Sequence, residues 1–285
     1  MKLNIILAGI VLISFGCATG PSDYNDDQNN NDSELFNEVE GSSRSKQKRG
    51  SSPKSEESQI DAPKASSSDL EKRFENAVNS QRESDLLTAG SELLARSPDN
   101  PKVLAGFGIY YLKNNEPDAA KIFFDRVLAK DPQNADANNG LGIIAMKEGK
   151  EFEGQVFFKK ALLGDRNHAG ANANLGAYYL KYLDYDKALS LLERAYDEDR
   201  KNQTIANNYA IALRGTGKVD KALSIYKGMD SRNQSIPVLL NQAILLAEFK
   251  KDSKAAKEIL NKIRFITTDP GILRKVNTLT QKLDQ

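Results

Sequence analysis

A repeat period of about 34 residues constrains this chain more than any other feature, because residues of matched size that recur at one fixed spacing require a repeated structural unit. We call each set of equivalent positions in successive repeats a column. The columns hold either small residues or larger apolar ones. They comprise Gly108, Gly142, Gly176 and Ala210; Ala120, Gly154, Ala188 and Ala222; Phe124, Phe158, Leu192 and Tyr226; and Val127, Ala161, Ala195 and Met229. Small residues let two helices approach closely, and large ones fill the space between successive units. The pattern predicts stacked helix–turn–helix units.

These columns resemble the tetratricopeptide repeat, a helix–turn–helix unit of about 34 residues. Residues 173–179 and 185–188 are similar to the family consensus, and Pro132 stands where the family places a proline between repeats. The resemblance implies an all-α, right-handed superhelical solenoid in which the first helix of each repeat lines a concave groove. The repeats are framed as 101–134, 135–168, 169–202, 203–236 and a less regular 236–268. Three residues depart from a bulky aromatic column of the family: Asn138, Asn172 and Ala206.

A degenerate repeat is predicted before the regular ones, over residues 67–100. Ser68 and Glu71 have the spacing of a capping box, which predicts that Ser68 is the N-cap of a helix. Pro98 lies one repeat period before the inter-repeat proline of the next unit. With this unit included, the solenoid has five to six repeats.

A capping helix is predicted at the other end, over residues 269–285. Asp269 reads as its N-cap and Pro270 as its first residue. The helix carries one apolar stripe, made of Ile272, Leu273, Val276, Leu279 and Leu283. A terminal helix with one polar face closes the end of a solenoid.

Residues 1–16 have the layout of a secretory signal peptide: a charge at Lys2, an apolar run over 3–15, and Gly16 before Cys17. The run is shorter than the roughly 20 apolar residues of a membrane-spanning helix. The segment resembles a bacterial lipobox, which implies that Cys17 is acylated and anchors the chain in the cell envelope. Ala18 after the cysteine favours the outer membrane, facing the periplasm. An ordinary signal peptide with an incidental cysteine and an uncleaved anchor are the alternatives.

Residues 17–66 are predicted to form a disordered tether that begins at the lipidated cysteine. Ten of residues 18–66 are Ser and few are large and apolar, so the segment cannot bury enough surface to offset its ordering entropy. A flexible coil of this length spans about 40 Å. Acidic residues are confined to 18–43 and basic ones to 44–54 in the first part of the tether. The basic stretch is either solvated linker or a contact for phosphate-bearing lipid or wall polymer.

The family's groove positions, transferred to this sequence, fall on polar residues of the first helices. They are Lys113, Asn139, Lys147, Asn174, Lys181, Asn208, Arg214 and Asn241. The asparagines at 174, 208 and 241 form an amide ladder that suits a peptide backbone, because an amide both donates and accepts hydrogen bonds. The lysines at 113, 147 and 181 form a lysine ladder that favours an acidic partner segment or a free carboxylate. These lysines are also typical of helix ends, where their charge complements the helix dipole.

The composition predicts a chain without catalytic, metal or cofactor chemistry. One His and one Cys exclude most clustered metal sites and a disulfide framework within the chain. His168 falls between two repeats and is predicted to be an exposed loop residue, which leaves no nucleophile–base pair. Because 40 basic and 39 acidic residues give a net charge of +1, nothing favours binding to nucleic acid.

Together these features predict a membrane-anchored scaffold of an envelope complex, which binds a protein or peptide segment in its groove and the membrane through Cys17. One version resembles the type IV pilus pilotins, repeat lipoproteins that help a secretin assemble. A second resembles periplasmic repeat lipoproteins that scaffold cell-wall synthases or hydrolases. The long tether fits the second version better, because its partner could lie deeper toward the wall. An enzyme is the third alternative.

Overall fold

The computed structural model of the chain describes residues 66–230, 232 and 234–284. The predicted signal peptide, Cys17 and all but the last residue of the predicted tether lie outside these residues. Over the described ranges the chain forms thirteen α-helices and no strand. The prediction of an all-α solenoid is confirmed.

The helices follow one another as antiparallel pairs. Their bounds are α1 Ser67–Ser80, α2 Glu83–Arg96, α3 Pro101–Lys113, α4 Pro117–Leu128, α5 Ala135–Lys147, α6 Glu151–Gly164, α7 Ala169–Lys181, α8 Tyr185–Glu198, α9 Gln203–Gly215, α10 Val219–Gly228, α11 Ile236–Leu245, α12 Ser253–Ile266 and α13 Pro270–Leu283. A five-residue π-helical segment, Leu246–Lys250, extends α11. The odd-numbered helices from α1 to α11 are the first helices of six pairs, and α13 follows the last pair.

Within every pair, the turn between the two helices contains one residue whose backbone is in the left-handed conformation. These residues, with their φ angles, are Gln81 (53°), Asn115 (63°), Gly149 (77°), Leu183 (58°), Gly217 (79°) and Lys251 (58°). Each lies one repeat period after the one before it. Six pairs therefore share one register, including the degenerate first repeat and the less regular last one.

Two glycines let one second helix insert a large ring between two first helices. Phe124 of α4 is fully buried, and its ring faces the backbone of Gly108 in α3 and of Gly140 in α5. A Cβ atom on either glycine would lie 2.5 Å or less from a ring carbon of Phe124. The small-residue and large-residue columns of the sequence are therefore two sides of one packing contact.

Two asparagines stand at positions where the family has bulky aromatic residues, and their side chains form hydrogen bonds to the turns between pairs. The Asn138 amide donates to the carbonyls of Pro132 at 3.0 Å and Asn134 at 2.9 Å. The Asn172 amide donates in the same way to Arg166 at 2.9 Å and His168 at 3.1 Å. Both side chains are buried. A departure from the family pattern thus replaces apolar filling by hydrogen bonds to the turn.

The N-caps predicted for the first and the last helix of the solenoid have different outcomes in the structure. The α1 helix begins at Ser67, so Ser68 lies in its first turn and its predicted role as N-cap is wrong. At the other end the Asp269 carboxylate accepts from the backbone of Gly271 at 2.7 Å and Ile272 at 2.9 Å, as an N-cap does. Val276 of α13 is fully buried against α12.

Candidate functional site

A cavity of about 200 Å³ crosses the first helices of four successive pairs, α3, α5, α7 and α9. Four of the sequence-predicted groove residues line it together, namely Lys113, Asn139, Asn174 and Asn208. The other four do not line it, namely Lys147, Lys181, Arg214 and Asn241. The apolar part of its wall includes Ile109 and Ile143. A second cavity of about 280 Å³ adjoins it toward α1 and shares Ile109 and Asp136 with it. We call the two cavities together the groove.

Side-chain amides of the first helices bridge neighbouring pairs. The Asn174 amide of α7 donates to the Asn139 side-chain oxygen of α5 at 3.0 Å. Farther along, the Asn241 amide of α11 donates to the Asn207 side-chain oxygen of α9 at 3.2 Å. The amide ladder therefore supplies hydrogen bonds between repeats as well as polar lining.

Asn207 is fixed from a second direction by the Tyr226 hydroxyl, which donates to the same side-chain oxygen at 3.2 Å. Tyr226 is buried, and burial raises the pKa of its phenol above the usual range. The hydroxyl therefore stays protonated and keeps donating throughout the physiological pH range.

Asn208 differs from the other ladder amides in its side-chain oxygen. The side chain is 2% exposed and lines the cavity. Its oxygen is buried and accepts no hydrogen bond from any residue in the described part of the chain. An unpaired buried polar atom costs about 1–3 kcal/mol, and the side-chain oxygens of Asn138, Asn172 and Gln242 are buried and unpaired among the described residues in the same way.

The lysine ladder bridges each pair to the one before it. The Lys113 amine lies 3.4 Å from the Val78 carbonyl, close to the end of α1. The Lys147 amine donates to the Asn115 side chain at 3.3 Å. Both contacts reach the preceding pair, and binding of a partner by these lysines stays a prediction.

The third lysine of the ladder belongs to an exposed cluster outside the groove. Lys181 pairs with the Glu151 carboxylate of α6, which also accepts from the Tyr182 hydroxyl at 2.7 Å. The hydrogen bond to Glu151 raises the pKa of Tyr182 to about 12. Hydrogen bonds from Lys181 and Tyr182 lower the pKa of Glu151. Arg214, the last predicted cation, lies over the Phe249 ring, with 5.9 Å between its guanidinium carbon and the ring centroid.

The second residues of four successive first helices also line the groove, and the sequence analysis did not predict this column. Its members, one repeat period apart, are Lys102, Asp136, Gly170 and Thr204. The periodicity alone would have found this column, because neighbouring first helices present equivalent positions to the same surface. It brings a carboxylate, Asp136, to the middle of the groove.

His168 is not the exposed loop residue that its position predicts. Its side chain is only 17% exposed, and its Nδ1 accepts from the Ala171 backbone at 3.0 Å as the N-cap of α7. Its Nε2 lies 3.0 Å from a carboxylate oxygen of Asp136. The equivalent caps of α5 and α9 are Asn134 and Asn202. His168 therefore takes over an asparagine's capping role and reaches the preceding pair as well.

The described residues contain no group of three or more His, Cys, Asp or Glu side chains placed to hold a metal ion. Within the same residues, none of the helices has the length and apolar character that crossing a bilayer requires.

Comparison of the sequence with protein families gives two matches to the tetratricopeptide repeat, over residues 87–144 and 179–240. An uncharacterized lipoprotein of Treponema pallidum is 31% identical over 101 residues. The aligned part is 35% of this chain and 51% of that protein. The chain therefore spans about half the length of the curated relative it matches.

Solved structures extend the likeness over most of the described helices. PilF of Pseudomonas aeruginosa has a TM-score of 0.60 at 16% identity, with 74% of this chain and 96% of that chain covered. PilW, described as a widely conserved type IV pilus biogenesis factor, has a TM-score of 0.55 at 19% identity, with 75% and 97% covered. YrrB, described as a TPR protein with an unusual peptide-binding site, has a TM-score of 0.52 at 21% identity, with 67% and 98% covered. At these identities the likeness shows a shared fold.

Proposed function

Since two stretches of this chain match the tetratricopeptide repeat and its helical fold is shared with YrrB, described as a TPR protein, we propose that it is a protein-interaction scaffold whose groove holds a segment of a partner protein. The observation that carries the proposal is the cavity that crosses the first helices of four repeats, whose wall includes Asn208, a side chain with a buried oxygen that has no donor among the described residues. A peptide backbone supplies the N–H donor that this oxygen lacks.

Apolar side chains would supply the rest of the contact. Ile109 and Ile143 are half-buried in the groove wall, and covering them removes apolar surface from water at about 25 cal/mol per Å². A bound segment would thus combine apolar contact with a few placed hydrogen bonds, as is usual in binding clefts. YrrB, which shares the fold, is described as having a peptide-binding site.

We further propose that Cys17 is acylated and holds the scaffold at the outer membrane, facing the periplasm. The lone cysteine follows a short apolar run, and the Treponema pallidum relative is described as a lipoprotein. More than one acyl chain gives stable anchoring. The partner would then belong to an envelope complex, and the chain would act by binding, with no catalytic step.

Type IV pilus assembly is a second candidate within the same class of function. The likeness to PilW, described as a type IV pilus biogenesis factor, covers 75% of this chain. A scaffold for cell-wall synthases or hydrolases remains the other version. The identity of a cross-linked partner would distinguish the two.

Site-specific photo-cross-linking of the full chain in membranes tests the proposal. A photoreactive residue at Ile143 lies in the groove, whereas one at Lys159 is exposed on α6 outside it. We expect an adduct from Ile143 and none from Lys159. The substitution Asn208→Ala should abolish the adduct, and Cys17→Ser should move the protein out of the membrane fraction.

Equal adducts from both positions would refute binding in the groove, and so would an Ile143 adduct that Asn208→Ala leaves unchanged. Asn208→Ala should fold normally, because it removes a buried oxygen that has no partner among the described residues. Circular dichroism of the purified variant checks this. Membrane association of the Cys17→Ser variant at the parent level would refute the anchor alone.

A further inference from the structure

We propose that the partner segment in the groove is basic and presents Lys or Arg side chains to a row of carboxylates along the groove. The inference rests on the proposed function and specifies the chemistry of the partner. Four carboxylates line the two adjoining cavities, namely Glu71, Glu75, Asp136 and Asp199, against two lysines, Lys102 and Lys113. The lysine ladder of the sequence predicted the opposite charge for the partner.

Lys113 is the one member of the lysine ladder among the residues that line the groove. Lys147 and Lys181 are not among the lining residues. Lys113 does line the groove, but its amine points to the Val78 carbonyl of the preceding pair at 3.4 Å. That contact directs the ammonium group toward the end of a helix, where a positive charge is favourable.

Two carboxylates of α1 line the second cavity. Glu71 and Glu75 are one helical turn apart on α1, are exposed, and line the cavity beside Phe74 and Val78. Neither forms an ion pair with another side chain of the described helices. An apolar floor with two carboxylates at its edge suits a side chain with an aliphatic stem and a cationic head, which is the chemistry of Lys and Arg.

Asp136 lines both cavities and lies at the centre of the groove. Its side chain has one hydrogen-bond partner among the described residues, His168 Nε2 at 3.0 Å. Because Nδ1 of the same ring accepts a backbone hydrogen bond from Ala171, Nε2 is the ring nitrogen that can donate to the Asp136 carboxylate. One carboxylate oxygen of Asp136 therefore has His168 as its partner, and the other oxygen has no partner among the described residues and is left for a ligand.

Asn208 is an independent sign of an occupant. It is 2% exposed, lines the same cavity as Asp136 and Asp199, and has an oxygen without a hydrogen-bond donor among the described residues. A backbone N–H of an extended segment fills that position. The carboxylates would then set the charge of the occupant's side chains, while Asn208 fixes its main chain.

Two pools of fluorescent dodecapeptides test the charge of the partner on the purified, detergent-solubilised full chain. One pool has four fixed Lys and the other four fixed Glu, with the same mixture of uncharged residues elsewhere. Fluorescence anisotropy should show at least tenfold tighter binding of the Lys pool at about 50 mM salt, because each half-exposed ion pair contributes about two- to fivefold. The preference should fall severalfold at about 300 mM salt, where screening is stronger.

Charge-neutral variants locate the effect. The triple variant Glu71→Gln, Glu75→Gln, Asp136→Asn should reduce binding of the Lys pool at least tenfold. A control triple with the same charge change outside the groove should stay within twofold of the parent. The control consists of Glu153→Gln, Asp186→Asn and Glu258→Gln, all at exposed positions. Circular dichroism should show equal helicity for both triples.

The outcomes separate the inference from the proposed function. Tighter binding of the Glu pool, weakened by Asn208→Ala, would overturn the basic-partner inference while leaving groove binding in place. Equal loss of affinity in both triples would also overturn it, because the effect would then come from net charge. Binding of neither pool, or binding that Asn208→Ala leaves unchanged, would overturn both.

Discussion

The substitution Gly140→Ala tests the packing of a second-helix ring between two first helices. A Cβ atom at residue 140 would lie 2.2 Å from Cε2 and 2.3 Å from Cζ of Phe124. The ring cannot move aside, because the backbone of Gly108 confines its other edge and a Cβ there would already be 2.5 Å from Cε1. The helices α4 and α5 must therefore separate to admit one methyl group.

The expected cost follows from two opposing effects. Overpacking a tightly packed core destabilises by about 1–3 kcal/mol. Replacing Gly by Ala inside a helix stabilises by about 0.5–1 kcal/mol. The strain is the larger effect here because the contact is far below van der Waals distance and the ring is fully buried. Gly140→Ala should therefore lower the free energy of unfolding by about 1–2 kcal/mol.

Urea unfolding followed by far-UV circular dichroism measures this change. Gly228→Ala is the matched control, since a Cβ at this helical position has no atom within 4 Å, and it should be neutral or slightly stabilising. Combining Gly140→Ala with Phe124→Leu should cost less than the sum of the single changes, because the smaller side chain leaves room for the methyl group. Unchanged or increased stability of Gly140→Ala would refute the packing argument.

Two further predictions concern the turn after α7. Leu183→Gly should raise the free energy of unfolding by about 0.5–1 kcal/mol, because a Cβ atom strains the backbone at the φ of 58° that Leu183 adopts, and the equivalent Gly217 has none. A lower Tm in thermal unfolding would contradict this. Glu151→Gln should bring the pKa of Tyr182 down from about 12 toward 10, as read from tyrosine-labelled NMR with Tyr182→Phe for assignment. Because folding raises the pKa of Tyr182, the stabilisation from its hydrogen bond is present below pH 10 and is lost as the pH rises to 12. A pKa of Tyr182 that Glu151→Gln leaves unchanged would show that the Glu151 carboxylate does not cause the shift.

The fold could be predicted from the sequence because its packing repeats with the period of the chain. Small residues such as Gly108 and large ones such as Phe124 occupy fixed columns, so one well-matched unit predicts the others. The left-handed turn at Leu183 could not be predicted from its residue type, since leucine disfavours that conformation. Only its position, one repeat period after Gly149, indicates it.

The site was harder to predict because its contacts run between repeats. Residue type predicts that Lys113 lies near a helix end, but its partner depends on how the preceding pair is placed. His168 was misjudged for a related reason: a position between repeats suggests exposure, yet Asp136 of the preceding pair partly covers it. Hydrogen-bond partners within a turn follow from local sequence, whereas partners in the next repeat follow from the stacking geometry.

The bridges between successive pairs have a mechanical consequence. Major packing contacts join helices that are neighbours or next neighbours along the chain, so the interfaces between pairs act like springs connected in series. Small rotations at each interface add up along the solenoid and change the width of the groove. Contacts such as Lys147 to Asn115 and Asn174 to Asn139 cross these interfaces and resist the rotation. A partner that bends the solenoid must do elastic work at every interface, and its affinity is reduced by the sum of that work.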